Sequence, residues 1–220
     1  MKANDALYQQ LARIGQAVAS GPRLALLDLL RQGPRTVEAL AQEAGLTLAN
    51  GSQHLKMLRQ ARLVEAEKRG VFVTYSIADQ AVDDFYSALR GLAEARLAEV
   101  QQIARAFVEK RGSLEPVDKH RLLERIRSGE VTVLDVRPAE EYRAAHIPGA
   151  ISVPLKELEK RLGSLPKHHE IVAYCRGPYC VLAPEAVKLL RARGYSAVAL
   201  GDGVAEWRAG GLPVAAGEAP

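Results

Sequence analysis

The hydrophobic pattern of this chain changes character once, at Gly112-Ser113-Leu114-Glu115-Pro116, and that change constrains the fold more than any other feature. Before it, apolar residues recur at helical spacing, interrupted by one alternating stretch. After it, short apolar runs and amphipathic segments take turns. A Gly- and Pro-bearing break between two such patterns marks a linker. The 220 residues suit two domains of about 100 residues each. The expected division is a first domain over 1–111, a linker at 112–116 and a second domain over 117–220.

In the first part, Leu7, Leu11, Ile14 and Val18 predict a helix over 5–19. Ser20-Gly21-Pro22 ends it and starts a second helix, which holds Leu24, Leu27, Leu29 and Leu30 and stops at Gln32-Gly33-Pro34. Thr36 caps the short helix VEALAQEAG, closed by Gly45. Thr47 caps LANGSQHLKMLRQAR, with Leu55 and Leu58 facing inward. A short helix, a glycine turn and a longer polar helix form a helix-turn-helix pattern. In LVEAEKRGVFVTYSI, Val71, Val73, Tyr75 and Ile77 alternate with Phe72, Thr74 and Ser76, which predicts a hairpin turning at Arg69-Gly70. Between Asp79 and Arg111, Phe85, Leu89, Leu92, Leu97, Val100, Ile103 and Phe107 predict one long helix over 80–111. Its apolar stripe is too long for one small domain to cover, which predicts a two-fold dimer.

The net charge of +4 is mild and does not by itself argue for nucleic acid. The local balance is more telling: residues 47–70 carry five basic side chains (Lys56, Arg59, Arg62, Lys68, Arg69) against two acidic ones (Glu65, Glu67). Thr47, Asn50, Ser52, Gln53 and Lys56 put hydroxyl, amide and ammonium groups on the polar face of the longer helix, the chemistry that reads base edges in a major groove. Lys68 and Arg69 at the hairpin tip would meet phosphate or minor groove. A solvated helix face is the plain alternative. The order of turn-helix, basic hairpin and long helix favours DNA binding.

The stretch VEALAQEAGLTLANGSQHLKMLRQARLVEAEKRGVFVTYSI resembles the ArsR/SmtB family of winged-helix repressors, over roughly residues 5–110. The resemblance implies a homodimer on a double-stranded DNA operator, with the first and last helices at the seam. Metal-sensing members carry a Cys pair in the helix before the turn. Here that helix, VEALAQEAG, has neither Cys nor His, and the last helix offers Asp83, Asp84, Glu94 and Glu99 without a His, so no metal site is expected. His54 is expected to pack or hydrogen-bond at the base of the recognition helix. His120, His146, His168 and His169 show no metal-ligand spacing.

The second part reads as helix 117–127, strand VTVLDV, helix 139–145, strand AISVP, helix 155–162, strand EIVAYC, helix 183–193, strand AVALG and helix 204–209. That alternation predicts a small α/β domain with a largely parallel sheet. The two cysteines, Cys175 and Cys180, both lie here, between a strand and a helix. Two thiols exclude a disulfide framework and any zinc or iron–sulfur site of three or four thiolates. A Cys at the C-terminal end of a strand, ahead of a helix N-terminus, sits where α/β sheets bind anions. Arg176, Gly177, Pro178, Tyr179 and Val181 then form an anion-binding loop whose N–H groups stabilise a thiolate. Pro178 supplies no N–H, and Arg176 adds positive charge. Cys175 is therefore expected to be the reactive nucleophile and the more acidic thiol, against the alternative of a buried structural Cys. Cys180 is either a small apolar cover or a second, resolving thiol. A cysteine phosphatase would need Arg six positions after its Cys, where Val181 stands.

LDVRPAEEYRAAHIPGAISVP (134–154), AYCRGPYC (173–180) and LGDGVAEWRAGGLPV (200–214) together resemble the rhodanese family over residues 117–216. The resemblance implies that Cys175 accepts a sulfane sulfur as a persulfide and passes it to a thiol or to cyanide. Asp135, Arg137 and His146 match family positions with mainly structural roles. Ala145 stands where the family often has Gly, and Asp202 where a Gly usually precedes Gly203. Asp202 would bring an acidic group to the pocket mouth and disfavour anionic donors.

The expected fold class is an α+β winged helix-turn-helix domain followed by a small α/β rhodanese-like domain with a largely parallel sheet. The expected function is a DNA-binding transcriptional regulator, a repressor, whose second domain senses or transfers sulfane sulfur through Cys175. One alternative is a sulfurtransferase, taking sulfur from thiosulfate or a persulfide to a thiol, beside an independently acting DNA-binding domain. Another is a rhodanese fold used only for docking. Expected partners are an operator, a second copy of the chain, and a small sulfur donor or acceptor; no cofactor is expected. No apolar run approaches 18 residues and none follows Lys2, so neither a membrane span nor a secretory signal is expected, which implies a cytoplasmic protein.

Overall fold

The computed structural model describes residues 2–70, 72–109 and 118–218. It forms two compact units, Met1–Arg90 and Gly91–Pro220. The linker expected at 112–116 lies outside the described residues. Among the described residues, no helix is long and apolar enough to cross a membrane.

The chain begins with α1 (Lys2–Val18) and α2 (Gly21–Arg31), with Pro22 in the first turn of α2. A two-residue strand β1 (Arg35–Thr36) leads into α3 (Val37–Glu43) and α4 (Leu48–Gln60). Both helices start where their caps predict. The Thr36 hydroxyl accepts from the Ala39 N–H at 3.4 Å, and the Thr47 hydroxyl from the Asn50 N–H at 3.3 Å. Gly45, at φ +66°, ends α3 in a left-handed turn, and the Leu46 N–H reaches back to the Ala41 carbonyl at 2.8 Å. Gly51 lets α4 lie against α3: a Cβ there would come within 3.0 Å of the Ala41 Cβ. Leu26, Leu40, Leu55 and Leu58 are wholly buried between these helices. At the end of α4 the left-handed residue is Arg62, at φ +60°, where a side chain carries a steric cost that glycine would not.

The hairpin follows as β2 (Val64–Arg69) and β3 (Phe72–Ile77), with Arg69 paired to Phe72 and β1 on the far edge of β3. The helix expected over 80–111 is two helices, α5 (Gln80–Arg96) and α6 (Ala98–Glu109), with Leu97 between them; residues 110 and 111 lie outside the description. Sequence periodicity does not resolve a one-residue interruption, because the spacing of apolar residues passes through it unchanged. Arg31 pairs with Asp83, which ties α2 to the start of α5.

The second sheet has the order β5-β4-β6-β7, all parallel: β4 (Val131–Asp135), β5 (Ile151–Ser152), β6 (Glu170–Tyr174) and β7 (Ala197–Ala199). Its helices are α7 (Lys119–Arg127), α8 (Ala139–Ala144), α9 (Leu155–Arg161), α10 (Leu182–Ala192) and α11 (Val204–Ala209). Alternation along β6 splits the core. Ile171, Ala173 and Cys175 join one cluster with Leu134, Val153, Leu158, Ala186 and Leu190. Val172 and Tyr174 join the other with Leu122, Tyr142, Ile147 and Trp207. With both faces covered, the strands carry continuous apolar runs, as parallel sheets do. Cys175 thus stands at the C-terminal end of a central strand.

Candidate functional site

On α4, Leu55, Leu58 and Gly51 turn inward, which leaves Thr47, Asn50, Ser52, Gln53 and Lys56 exposed. Asn50, Gln53 and Lys56 lie three apart and therefore share one helical face. Lys68 is exposed near the end of β2; the side chain of Arg69 lies outside the described residues. His54 is half-buried, and its Nδ1 has no hydrogen-bond partner among the described residues. If Asn50 and Gln53 read bases, Asn50→Ala and Gln53→Ala should each weaken operator binding by about 1–3 kcal/mol, whereas Lys68→Ala should weaken binding to all sequences and lower the salt slope by about one. Fluorescence anisotropy with matched and scrambled duplexes across a salt series separates the two effects. Unchanged affinity and specificity in both α4 variants would remove α4 from the interface.

The loop that opens after β6 carries the two thiols. Cys175 is 2% exposed, and Cys180 is half-buried. The Cys180 N–H closes a turn onto the Gly177 carbonyl at 3.0 Å, with Gly177 at φ +126°. Tyr179 is half-buried, Pro178 lies within the turn, and Val181 is exposed immediately before α10. Backbone N–H groups of Ala183 and Gly177 point to the Cys175 sulfur, and those of Arg176 and Leu182 to the Cys180 sulfur. The two side chains are hydrogen-bonded to each other.

This geometry reverses the expectation that Cys175 is the more acidic thiol. Burial in the apolar core pushes Cys175 up, and its hydrogen bond to Cys180 and the negative charge there push it further. Cys180 is lowered to about 6, first because it accepts the hydrogen bond from Cys175, then, against the cost of its own burial, by the N–H groups of Arg176 and Leu182. The turn at Gly177 brings both sulfurs within reach of amides of the one loop and the start of α10. The first proton therefore leaves the pair, not one residue, near pH 6. Thiolate ultraviolet absorbance should rise as pH passes about 6, and Cys180→Ser should remove that step. A single step in the ordinary thiol range in the unaltered protein would contradict the pairing.

Beneath the loop lies a buried network that sequence reading assigned to structure only in part. Asp135 and Arg137 are wholly buried and paired, with Arg137 Nε 2.9 Å and Nη2 2.6 Å from the two Asp135 oxygens. The Tyr174 hydroxyl donates to Asp135 at 2.6 Å and accepts from the Ile147 N–H at 3.1 Å. Burial and then the Asp135 charge raise Tyr174 well above its ordinary value, so it remains a neutral donor. His146 stacks on Tyr142 and its Nδ1 lies 2.8 Å from the Tyr142 carbonyl. Ala145 is extended, at φ −167°, so its side chain costs nothing where the related sequences often have Gly. The sequence did not single out Glu141. It is 1% exposed, and both of its oxygens accept from Arg176 Nε, at 3.0 and 3.1 Å. The cation expected to serve the loop is thus held by a buried carboxylate 35 residues away.

Opposite, Gly203 packs on the loop backbone: a Cβ there would lie 2.6 Å from the Arg176 carbonyl carbon. The Glu206 carboxylate accepts from the Gly203 N–H at 2.9 Å and lies beside Gly177, where an added Cβ would come within 2.9 Å of its Oε2. Asp202 is ion-paired with Lys119 at 2.7 Å. Neither the Gly203 approach nor the position of Glu206 beside the loop is visible in spacing alone, although the run GDGVAE places an acid three residues after a glycine.

A winged helix-turn-helix domain followed by an α/β domain with a cysteine-bearing loop defines a class of two-domain regulator. Residues 21–66 match the model of the arsR family of bacterial regulatory proteins, and residues 118–210 that of the rhodanese-like domain. The HTH-type transcriptional regulator Rv0324 of Mycobacterium tuberculosis is 47% identical over 210 residues, covering 95% of this chain and 92% of that protein. A sulfurtransferase of Allochromatium vinosum is 31% identical over 104 residues, covering 46% of this chain and 95% of that one. The solution structure of a homodimeric winged helix-turn-helix DNA-binding domain from Mycobacterium bovis is 40% identical, with a TM-score of 0.41, covering 43% of this chain and 88% of that one. This chain belongs to the arsR family of bacterial regulators and carries a rhodanese-like domain.

Proposed function

We propose that this protein is a DNA-binding transcriptional regulator whose occupancy of its operator responds to sulfane sulfur captured on Cys175. The observation that carries this reading is the hydrogen-bonded pair Cys175–Cys180 in a single amide-lined loop, within a chain that also presents the exposed polar face of α4. Cys180, as thiolate, takes the proton of Cys175 along their shared hydrogen bond. The Cys175 sulfur then attacks the terminal sulfur of a persulfide R–S–SH. The new bond forms between Cys175 and that sulfur, and the old S–S bond leaves its electron pair on RS⁻. The product Cys175–S–SH has two fates. An acceptor thiolate can remove the outer sulfur, which is transfer. Alternatively, the Cys180 thiolate can attack the inner sulfur, forming a Cys175–Cys180 disulfide and releasing HS⁻, which is a stable second state.

For such a state to alter DNA binding, the modified domain must interact differently with the bound and free arrangements of the DNA-binding domain. Operator affinity measured before and after polysulfide treatment tests this: a change of tenfold or more in either direction supports sensing. Equal affinity with complete modification of Cys175 would leave only a sulfurtransferase beside an independent DNA-binding domain. The working unit is a dimer. Leu7, Tyr8 and Leu11 on α1, and separately Leu92 on α5 and Ile103 on α6, are exposed in the single chain, apolar side chains that a second copy would cover. Light scattering at micromolar concentration should give twice the chain mass; a monomer would remove the dimer from this reading.

A further inference from the structure

The two thiols of the loop between β6 and α10 are also arranged to hold a metal ion, a use that does not depend on sulfur chemistry. Neither cysteine is in a disulfide, and their side chains are hydrogen-bonded to each other. The strand places the first: Cys175 follows β6 and packs in the core with Ala183, Ala186 and Val187. The turn places the second: the Cys180 N–H closes onto the Gly177 carbonyl at 3.0 Å, and α10 begins two residues later at Leu182. Both sulfurs are therefore in position before an ion arrives, which removes most of the ordering cost of binding.

The surroundings of the pair decide which ion it suits. Among the described residues, no group of three or more Cys, His, Asp or Glu side chains is placed to hold a metal ion. Structural zinc and iron–sulfur clusters take four protein ligands, so two sulfurs do not satisfy them. The polar groups directed at the sulfurs are backbone N–H groups, those of Ala183 and Gly177 at Cys175 and those of Arg176 and Leu182 at Cys180. These donors stabilise negative charge on sulfur and cannot coordinate a cation. Cys175 is 2% exposed, and Cys180 packs against the same apolar cluster, so the inner side of the pair offers no further ligand. Thiolates select soft ions, and a soft ion of low charge is satisfied by two of them in line. Two thiolates with Cu⁺ carry one net negative charge, which the four N–H groups face. With a divalent ion the site would be neutral, and those dipoles would have no charge to stabilise. We infer that Cys175 and Cys180 form a two-coordinate site for Cu⁺. The ion takes the place of the proton between the sulfurs: one S–Cu bond forms to each cysteine, and any thiol proton still on the pair leaves to solvent, with no change of oxidation state. The bound ion occupies the lone pair with which Cys175 would attack a persulfide, so the copper-bound loop would not accept sulfur.

The test uses the full-length chain, reduced and kept from oxygen, with Cu⁺ supplied as its coloured bicinchoninate complex. The unaltered protein should withdraw one Cu⁺ per chain. X-ray absorption at the copper edge should show two sulfur neighbours and no nitrogen or oxygen. Excess Zn²⁺ should not displace the ion. Cys175→Ser and Cys180→Ser should each lose the ion at a bicinchoninate concentration from which the unaltered chain takes it, because one thiolate cannot hold Cu⁺ against the competitor. Serine is close to cysteine in size, and circular dichroism checks that each variant is folded. Replacement of both His168 and His169 by Ala removes the edge-to-face imidazole pair and should leave copper uptake unchanged. Copper kept by either cysteine variant, nitrogen in the coordination shell, or displacement by zinc would overturn the inference, as would an unaltered chain that takes up no copper.

Discussion

Cys175→Ser should leave the chain folded and abolish sulfur loading, a loss on the order of 10³-fold or more in rate, as expected when a covalent nucleophile is replaced. The serine hydroxyl is nearly isosteric with the thiol, so the core cluster around position 175 keeps its packing. Buried there, the hydroxyl stays protonated, and its oxygen is a poor partner for sulfur. Cys180→Ser makes a different prediction. Cys175 keeps its place but loses the thiolate that takes its proton, and burial still holds its own ionisation high. Loading at neutral pH should fall by about 10- to 100-fold and recover as pH rises, because the rate follows the thiolate fraction. The disulfide state should vanish. Mass spectrometry after polysulfide treatment checks both variants. Sulfur found only on Cys180, or loading that survives in Cys175→Ser, would reverse the two roles.

Arg137→Met should cost the rhodanese-like domain about 3–5 kcal/mol, most of the stability a small domain has. Both partners of the Asp135–Arg137 pair are fully buried, so removal of the guanidinium leaves a carboxylate in the core with, among the described residues, the Tyr174 hydroxyl and the backbone N–H of position 137 as its remaining donors. The Ala145 carbonyl, which accepts from Arg137 Nη2 at 2.7 Å, loses that donor as well. Asp135→Asn combined with Arg137→Met removes the stranded charge and should recover part of the loss, although each change alone destabilises. Urea unfolding followed by far-ultraviolet circular dichroism measures the midpoints. A single-variant cost below about 1 kcal/mol would mean that water reaches Asp135.

Much of this protein is legible in its sequence because the relevant forces are local. Thr36 and Thr47 announce their helices, since a hydroxyl that accepts from an N–H three residues on acts within one turn. Gly45 announces the turn between α3 and α4, since its left-handed conformation excludes most side chains. Leu55 and Leu58 fix which face of α4 is buried, and so which polar residues are left exposed. The apolar runs of β4 and β6 mark strands covered on both faces, and Cys175 falls at the end of one of them. The break at Leu97 was not legible, since one displaced residue leaves the apolar spacing intact.

The chemistry of the loop depends on residues far apart in the chain. Glu141 takes the charge of Arg176 from 35 positions away, because β4 and β6 are neighbours in the sheet and the segments leaving their C-terminal ends converge. Glu206 lies beside Gly177 because Gly203, with no Cβ, can lie on the loop backbone. The proposed nucleophile, its loop and the helix proposed to read DNA were all set by patterns within a few residues. Only the folded chain determined which thiol carries the charge, and which ions surround it. Both depend on burial and on charges brought together by long-range packing, and electrostatic energy follows distance in space, not separation along the chain.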